Sequence, residues 1–360
     1  MGNLPSVDRS VDRAAQNLRQ DQEHSNTLKV HRRIRSLRPP LDGAGKLGKL
    51  LVGTGGWAYF AVPGLDPLQA YSRAFNFVEV NSTFYEYPDP ALVRSWRRRV
   101  PRNFQFAVRC HRDLTHRLRL QPSERAHEVL RRMVSICRVL DAQVMHIQTP
   151  PGMRFNHSTI EGIRELLSSE DLRGVRVAWE PRRPGDGPLG AELARLIADT
   201  GMIHCVDISK QDPEVDSDIL YSRLFGHGKQ NVYQFSDEEL QDIKQRVDKP
   251  DLEMAILAFH GVKMYKDAAR FKSYVETGRF PMATGSTGLD SLQEVLVEDA
   301  RFPSSRGSLI EHQGWKLVDL TPSRRCRVSE IVEHIPFRTY HNVSEVIDAV
   351  RSSGALAKFG

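Results

Sequence analysis

The chain has 360 residues, 40% of them hydrophobic and 27% charged, a composition that excludes a mainly disordered chain, a collagen and a coiled coil. Its 51 Lys plus Arg against 45 Asp plus Glu give a net charge of +6, which permits anionic partners without singling out nucleic acid. The length admits one large α/β domain with appendages or two to three smaller ones.

Four scattered cysteines, Cys110, Cys137, Cys205 and Cys326, make no C-x-x-C pair. They argue against a disulfide framework and a structural zinc site and for a reducing, cytoplasmic setting. No stretch is apolar enough to span a bilayer; the run around Leu50 to Leu65 is broken by Gly53, Gly55, Gly56, Pro63 and Gly64, so no membrane partner is expected.

In chain order, residues 1–48 read as a basic, mostly disordered tail. They carry the cluster Lys29, Arg32, Arg33, Arg35 and Arg38, then Pro39-Pro40 and a Gly-rich linker. From residue 49 to 283, short β-branched and apolar runs alternate with segments of helical period. The strands are expected at Leu50–Gly53, Phe77–Asn81, Phe104–Arg109, Val144–Gln148, Val175–Glu180, Met202–Asp207, Ile219–Phe225 and Met254–His260. Helix starts are expected at Asp66, Asp89, Ser123, Ser158, Leu189 and Ser236. The weak link is between the sixth and seventh strands, where Gln211 to Asp218 is too short and too rich in Pro and Asp for a full helix. Eight parallel strands with their crossovers point to an α/β fold, a (β/α)8 TIM-type barrel. A doubly wound open sheet lacks its glycine fingerprint here. Residues 284–360, opened by the turn-rich joint Thr284–Gly288, read as a small, mainly helical C-terminal module with helices at Leu289–Asp299, Ser308–His312, Val328–His334 and Val343–Ser352.

A parallel barrel keeps its active site at the C-terminal strand ends, and polar residues gather there. The first strand ends at Thr54, with Trp57 and Tyr59 beyond. The second carries Glu79, and period-two geometry puts Asn81 and Thr83 on its face, with Tyr85 following. The third ends at Arg109, with Thr115 and His116 in its loop. The fourth carries His146 and Gln148, the fifth Glu180 and then Arg182, and the last three Asp207, Arg223 and His260. Charges inside apolar strands are paired or functional, because burying one alone is costly. Two readings stand: a structural lattice such as Glu79 with Arg109 and Glu180 with Arg182 or Arg223, or a ligand site at one mouth.

Individual motifs are weaker. Gly53-Thr54-Gly55-Gly56 has neither dinucleotide-binding nor P-loop spacing. Trp57, Tyr59 and Tyr85 suit stacking on a sugar or packing on the barrel rim. A divalent metal could be assembled from His111, His116, His146, Glu180, Asp207 and His260, but no H-E-x-x-H-type spacing signals one, so no metal ligands are assigned and the cofactor stays unknown. No G-x-S-x-G elbow marks a serine nucleophile.

The stretches Gly53–Tyr59, Val78–Tyr85 and Pro101–Arg109, followed in order by Leu114-Thr115-His116, Glu180-Pro181-Arg182 and Tyr221–Gly226, resemble the YecE-like family, catalogued as domain-of-unknown-function family 72. The resemblance runs from about Leu51 to Phe280. It implies a sugar-isomerase-related TIM barrel with a site at these strand ends. Arg109 stands where that family has Lys, Phe225 where it often has His, and His260-Gly261 in place of a common Asn pair.

The leading expectation is an enzyme acting by proton transfer, of isomerase or lyase type, on a small phosphorylated or sugar-like anionic substrate. Glu180, Glu79 and Arg109 take the catalytic roles. Thr54, Trp57, Tyr59, Asn81, Thr83, Tyr85, Thr115, His116, Arg182, Asp207, Arg223 and His260 bind substrate. The alternatives are a phosphodiesterase or nuclease that uses the basic tail for weak, non-specific nucleic-acid binding, and a non-catalytic ligand-binding or scaffold protein. Brief proteolysis is expected to trim the chain before about Leu50, with a second point of attack at Thr284–Gly288, because Gly-rich mobile segments are cut first. A first stable fragment beginning at the third strand would overturn the single-barrel reading.

Overall fold

The structure is a computed structural model that describes residues 47–172, 174–182 and 187–359. The expected basic tail lies outside the described residues apart from Leu47 and Gly48. Eight strands form one parallel sheet: β1 (Lys49–Thr54), β2 (Phe77–Val80), β3 (Gln105–Arg109), β4 (Val144–Thr149), β5 (Arg176–Pro181), β6 (Ile203–His204), β7 (Ile219–Leu224) and β8 (Met254–Phe259). They follow one another in the order β6-β5-β4-β3-β2-β1-β8-β7. A single bridge from Val206 to Ser222 joins the two ends, and the Arg223 amide donates to the Val206 carbonyl at 3.1 Å. The expected (β/α)8 TIM-type barrel is what the chain forms.

The helices begin where local chemistry starts them. Asp66, Asp89 and Ser123 accept from backbone amides at the starts of α1 (Pro67–Ala74), α2 (Pro90–Arg98) and α3 (Glu124–Leu140). Asn156, not Ser158, caps α4 (His157–Ser168), and Gly190 precedes α5 (Ala191–Asp199). Ser236 and Glu239 form a capping box on α6 (Asp237–Val247), and α7 (Met264–Thr277) follows β8. As expected, no helix spans Gln211 to Asp218.

Period-two alternation divides the strand side chains between two cores. Val52, Val78, Val108, Ile147, Trp179, Leu220 and Phe259 pack outwards against the helices. Leu51, Phe77, Ala107, Val144, Ala178, Ile203, Tyr221 and Ile256 fill the barrel's interior. The next inward positions, one step towards the C-terminal strand ends, are Glu79, Arg109, His146, Glu180, Cys205, Arg223 and Ala258. The interior thus has an apolar floor and an ionic upper layer.

The sixth strand is shorter than the expected Met202–Asp207. Asp207 is spent on a turn instead: its Oδ2 accepts from the amides of Phe225 at 2.9 Å and Gly226 at 3.2 Å, which draws the chain out of the ladder. The C-terminal region has its own apolar cluster, including Leu292, Leu296, Val318, Ile331, Tyr340 and Val346. Its helices α8 (Gly288–Asp299), α9 (Arg306–Gln313), α10 (Val328–Val332) and α11 (Val343–Ser353) are accompanied by two antiparallel pairs not expected from the sequence. These are β9 (Ser304–Ser305) with β12 (Thr339–Tyr340), and β10 (Leu317–Thr321) with β11 (Arg324–Arg327).

The joint at Thr284–Gly288 is tied down. The Thr284 amide donates to Asp319 at 2.7 Å and the Gly285 amide to Glu294 at 2.8 Å, so cleavage there is no longer expected. The C-terminal region also grips the barrel: Arg327 donates to the Gln234 carbonyl at 3.1 Å, and Leu317 N–H to the Gln234 side chain at 2.9 Å.

One buried hydroxyl fixes the top of β1. Tyr71 donates to the Phe77 carbonyl at 2.9 Å and accepts from the Thr54 amide at 2.8 Å. A side chain at Gly53 would lie 1.9 Å from that same carbonyl, so glycine lets the two strands meet there. Tyr71→Phe is expected to lower stability by about 1–3 kcal/mol, because it strands a buried donor and a buried acceptor. A denaturant midpoint unchanged from wild type would contradict this account.

Candidate active site

The ionic upper layer is assembled from strands far apart in sequence. Arg223, on β7, lies between two carboxylates. Its Nε is 3.1–3.2 Å from both oxygens of Glu79, and its Nη1 donates to Glu180 Oε2 at 2.9 Å. Tyr221, two residues earlier on the same face, donates its hydroxyl to Glu79 Oε2 at 2.7 Å. His260 Nε2 stands 3.4 Å from Glu79 Oε1. Glu79 is fully buried and surrounded.

Glu180 differs. Its Oε1 accepts from Gln148 Nε2 at 2.7 Å and from Arg182 Nε at 3.1 Å, and 18% of its side chain remains exposed. It lines a cleft of about 310 Å³ together with Arg182, Cys205, Asp207, Lys210 and Phe225. Glu79 does not line that cleft.

Burial by itself, the largest single influence, would raise both carboxyl pKa values, but the Arg223 charge together with the other groups around them holds both well below the usual carboxylate range. Arg223 is held cationic: burial acts against its charge and the two carboxylates more than restore it. His146, between Glu79 and Glu180, is driven the other way. Burial, and then the Arg223 charge, lower its pKa to about 4, so the ring is neutral at pH 7.

Arg109 does not pair with Glu79. Its Nη1 donates to Asn81 Oδ1 and its Nη2 to Gln148 Oε1, both at 2.6 Å. The guanidinium lies 3.9 Å from the centre of the Phe84 ring. Arg109 therefore reaches Glu180 only through Gln148, while the expected partners Arg182 and Arg223 both contact that carboxylate directly.

Several expected substrate contacts are occupied by the fold. Thr54 Oγ1 donates to the Gly56 carbonyl at 2.7 Å. Thr83 lies beyond the end of β2 in a helical turn, not in extended chain, and its hydroxyl contacts the Val80 and Arg109 carbonyls at 2.7 and 2.6 Å. Thr115 is buried against His116 Nδ1 at 2.8 Å, and Asp207 is committed to its turn. Trp57 packs edge-on against Trp96 at 5.4 Å. Tyr85 and Tyr59 are exposed, Tyr59 at 86%. His260 stacks on Phe225 at 4.8 Å. A side chain at Gly55 would come within 2.1 Å of the His260 ring, so glycine there makes room for it.

The structure adds Tyr221 and Cys205 to the polar residues placed at the mouth from the sequence, and it brings into contact with the carboxylates His146 and Gln148, which were placed there without a substrate-binding or catalytic role. Period two was the available signal, since each shares a face with a chosen or neighbouring inward residue: Tyr221 with Arg223, His146 with Gln148.

Residues 51–286 match the family described as "Protein of unknown function DUF72". A stretch of 58 residues is 34% identical to the UPF0759 protein YecE of Escherichia coli strain K12, covering 16% of this chain and 21% of that relative's length. Crystal structures of DUF72 family proteins from Enterococcus faecalis V583 and Thermotoga maritima MSB8 each superpose with a TM-score of 0.50, at 14% and 20% identity. They cover 64% and 63% of this chain and 98% and 99% of theirs; at such identities it is the fold that is shared. A family match running from Leu51 to Ser286 reaches all eight barrel strands and takes in every member of the buried ionic layer, and the chain belongs to the DUF72 family of proteins of unknown function.

Proposed function

We propose that the cleft beside β5 to β7 binds a small anionic or sugar-like molecule and that Glu180 acts on it as a proton acceptor, in isomerase- or lyase-type chemistry. The observation that carries this reading is the asymmetry between the two carboxylates. Glu79 is saturated by Arg223, Tyr221 and His260 and closed off from solvent, as a structural counter-ion should be. Glu180 is ionised, rigidly held, and open on one side.

Arg182 and Lys210 line the same cleft and supply cationic donors for a phosphate or carboxylate. A space of about 310 Å³ falls within the range of small-molecule sites. An anion that engages Arg182 also takes from Glu180 one of the cations that hold its proton affinity down, so binding makes the carboxylate a better base. Neutral His146 stands 3.3 Å from Glu180 Oε2, close enough to orient the carboxylate or share a proton with it.

The test separates the two glutamates. Glu180→Gln is expected to lower stability by no more than about 2 kcal/mol, because Arg223 keeps Glu79 as its partner. Glu79→Gln is expected to cost about 3–5 kcal/mol, as when one partner of a buried pair is removed. In a thermal-shift screen against sugar phosphates and nucleotides, a ligand at a hundred times its Kd stabilises wild type by about 2.7 kcal/mol. Glu180→Gln should lose turnover of any hit. A Glu180→Gln protein that melts as early as Glu79→Gln yet keeps full binding and activity once folded would make Glu180 a strut.

A further inference from the structure

We propose that His146, Glu180 and Cys205 form a binding site for one divalent ion of the zinc type. One ligand atom from each, namely an imidazole nitrogen, a carboxylate oxygen and Cys205 Sγ, all lie within 4.8 Å of one another, on three successive strands or strand ends of the barrel wall. His146 Nε2 and Glu180 Oε2 are 3.3 Å apart. Two nitrogen or oxygen ligands on a tetrahedral zinc stand about 3.3 Å apart, and a sulfur stands about 3.5–3.7 Å from either. From a separation of at most 4.8 Å, the sulfur therefore has to close by up to about 1.3 Å.

A second observation points to the same place. His146 is fully buried, yet among the described residues neither ring nitrogen has a hydrogen-bond partner. Nδ1 faces Glu79 Oε2 at 3.8 Å and Nε2 faces Glu180 Oε2. A neutral imidazole has one N–H and one lone pair, so one nitrogen presents a lone pair to a carboxylate oxygen. In the tautomer with its proton on Nδ1, Nε2 meets Glu180 Oε2 lone pair to lone pair, and a cation between the two turns that repulsive contact into two bonds. Nδ1–H then points at Glu79, the carboxylate–histidine arrangement that holds a metal-binding imidazole in the right tautomer. Glu180 would keep Gln148 and Arg182 on its other oxygen, and a carboxylate oxygen has room for both Arg223 and a metal.

The donor set identifies the ion's class. One thiolate, one imidazole and one carboxylate suit zinc better than magnesium or calcium, which prefer all-oxygen shells. As the metal–sulfur bond forms, the Cys205 S–H bond breaks and its proton passes to solvent through the cleft, which both Cys205 and Glu180 line. Three protein ligands leave a fourth position open towards that cleft, the pattern of a catalytic and not a structural zinc. Arg109, Arg182 and Arg223 give the surroundings surplus positive charge, which an anionic oxygen in that fourth position would offset. Asp207 and His260, grouped with His146 and Glu180 from the sequence, are not in the set: Asp207 is occupied by backbone amides and His260 faces Glu79.

The experiment is a titration of the chelator-treated full-length protein with Co2+ alone, followed by Zn2+ competition. One ion per chain is expected, with a near-ultraviolet thiolate-to-cobalt charge-transfer band that zinc abolishes. Cys205→Ala should lose the band and at least about a hundredfold in affinity, while Cys326→Ala keeps both. Absence of stoichiometric binding to wild type, binding without the band, or a band that survives in folded Cys205→Ala would each overturn the assignment, and the first two need no variant. The result is separable from the proposed reaction. Metal binding with no sugar-phosphate response in the metal-loaded protein rejects the substrate reading alone, and a sugar-phosphate response in a protein that takes up no cobalt rejects the metal alone.

Discussion

Arg223 is the charge on which the barrel's upper half depends. Two carboxylates face each other inside the barrel, on β2 and β5, and neither could stay ionised there unaided. The guanidinium touches both, and it is brought to Glu79 from 144 residues away in sequence. The same residue's amide reaches across to the Val206 carbonyl. One position thus neutralises the interior and closes the ring, so the electrostatics of the site and the topology of the sheet are settled together.

What surrounds that arginine divides by access. On the closed side, Tyr221 and His260 complete the shell of Glu79, and Phe225 stacks over His260 to shield it. On the open side, Glu180 shares its oxygens among Arg182, Gln148 and Arg223 and still meets the cleft. Gln148 is the hinge of this arrangement, since its amide joins Arg109 on one side to Glu180 on the other. Through it, Arg109 influences Glu180 without touching it, which lets a third positive charge tune the site while leaving space for a ligand.

The fold was legible because local rules decided it. β-branched runs became strands, and Asp66, Asp89, Ser123 and Ser236 became caps through bonds spanning two or three residues. The inward face of each strand was legible too, because alternation needs no knowledge of neighbours. Partner choice was not. Nothing near Arg109 in sequence says that it will take Asn81 and Gln148 in place of a carboxylate; that depends on which strand lies opposite and at what height. Thr54, Thr83 and Asp207 bond backbone groups, which their places in the sequence do not announce either, and Asp207 lines the cleft as well. Small polar residues at strand ends serve backbone turns as readily as ligands, and only the turn geometry tells the two apart. Of the two antiparallel pairs in the C-terminal region, β9 with β12 was invisible because these strands are two residues each, too brief to show a period.

The ring is joined between β6 and β7 by one bridge, whereas β7 and β8 are matched over six residue pairs. The barrel therefore has a seam, and the cleft lies along it, lined by Glu180 and Cys205 on one edge and by Phe225 and Asn231 on the other. Across it the Asp207 carboxylate accepts from the Phe225 and Gly226 amides, and the Ser222 hydroxyl accepts from the Ile208 amide. Two side chains, Asp207 and Ser222, thus join the edges where backbone pairing is thinnest, and closure of the barrel rests there on side-chain bonds as well as on the ladder.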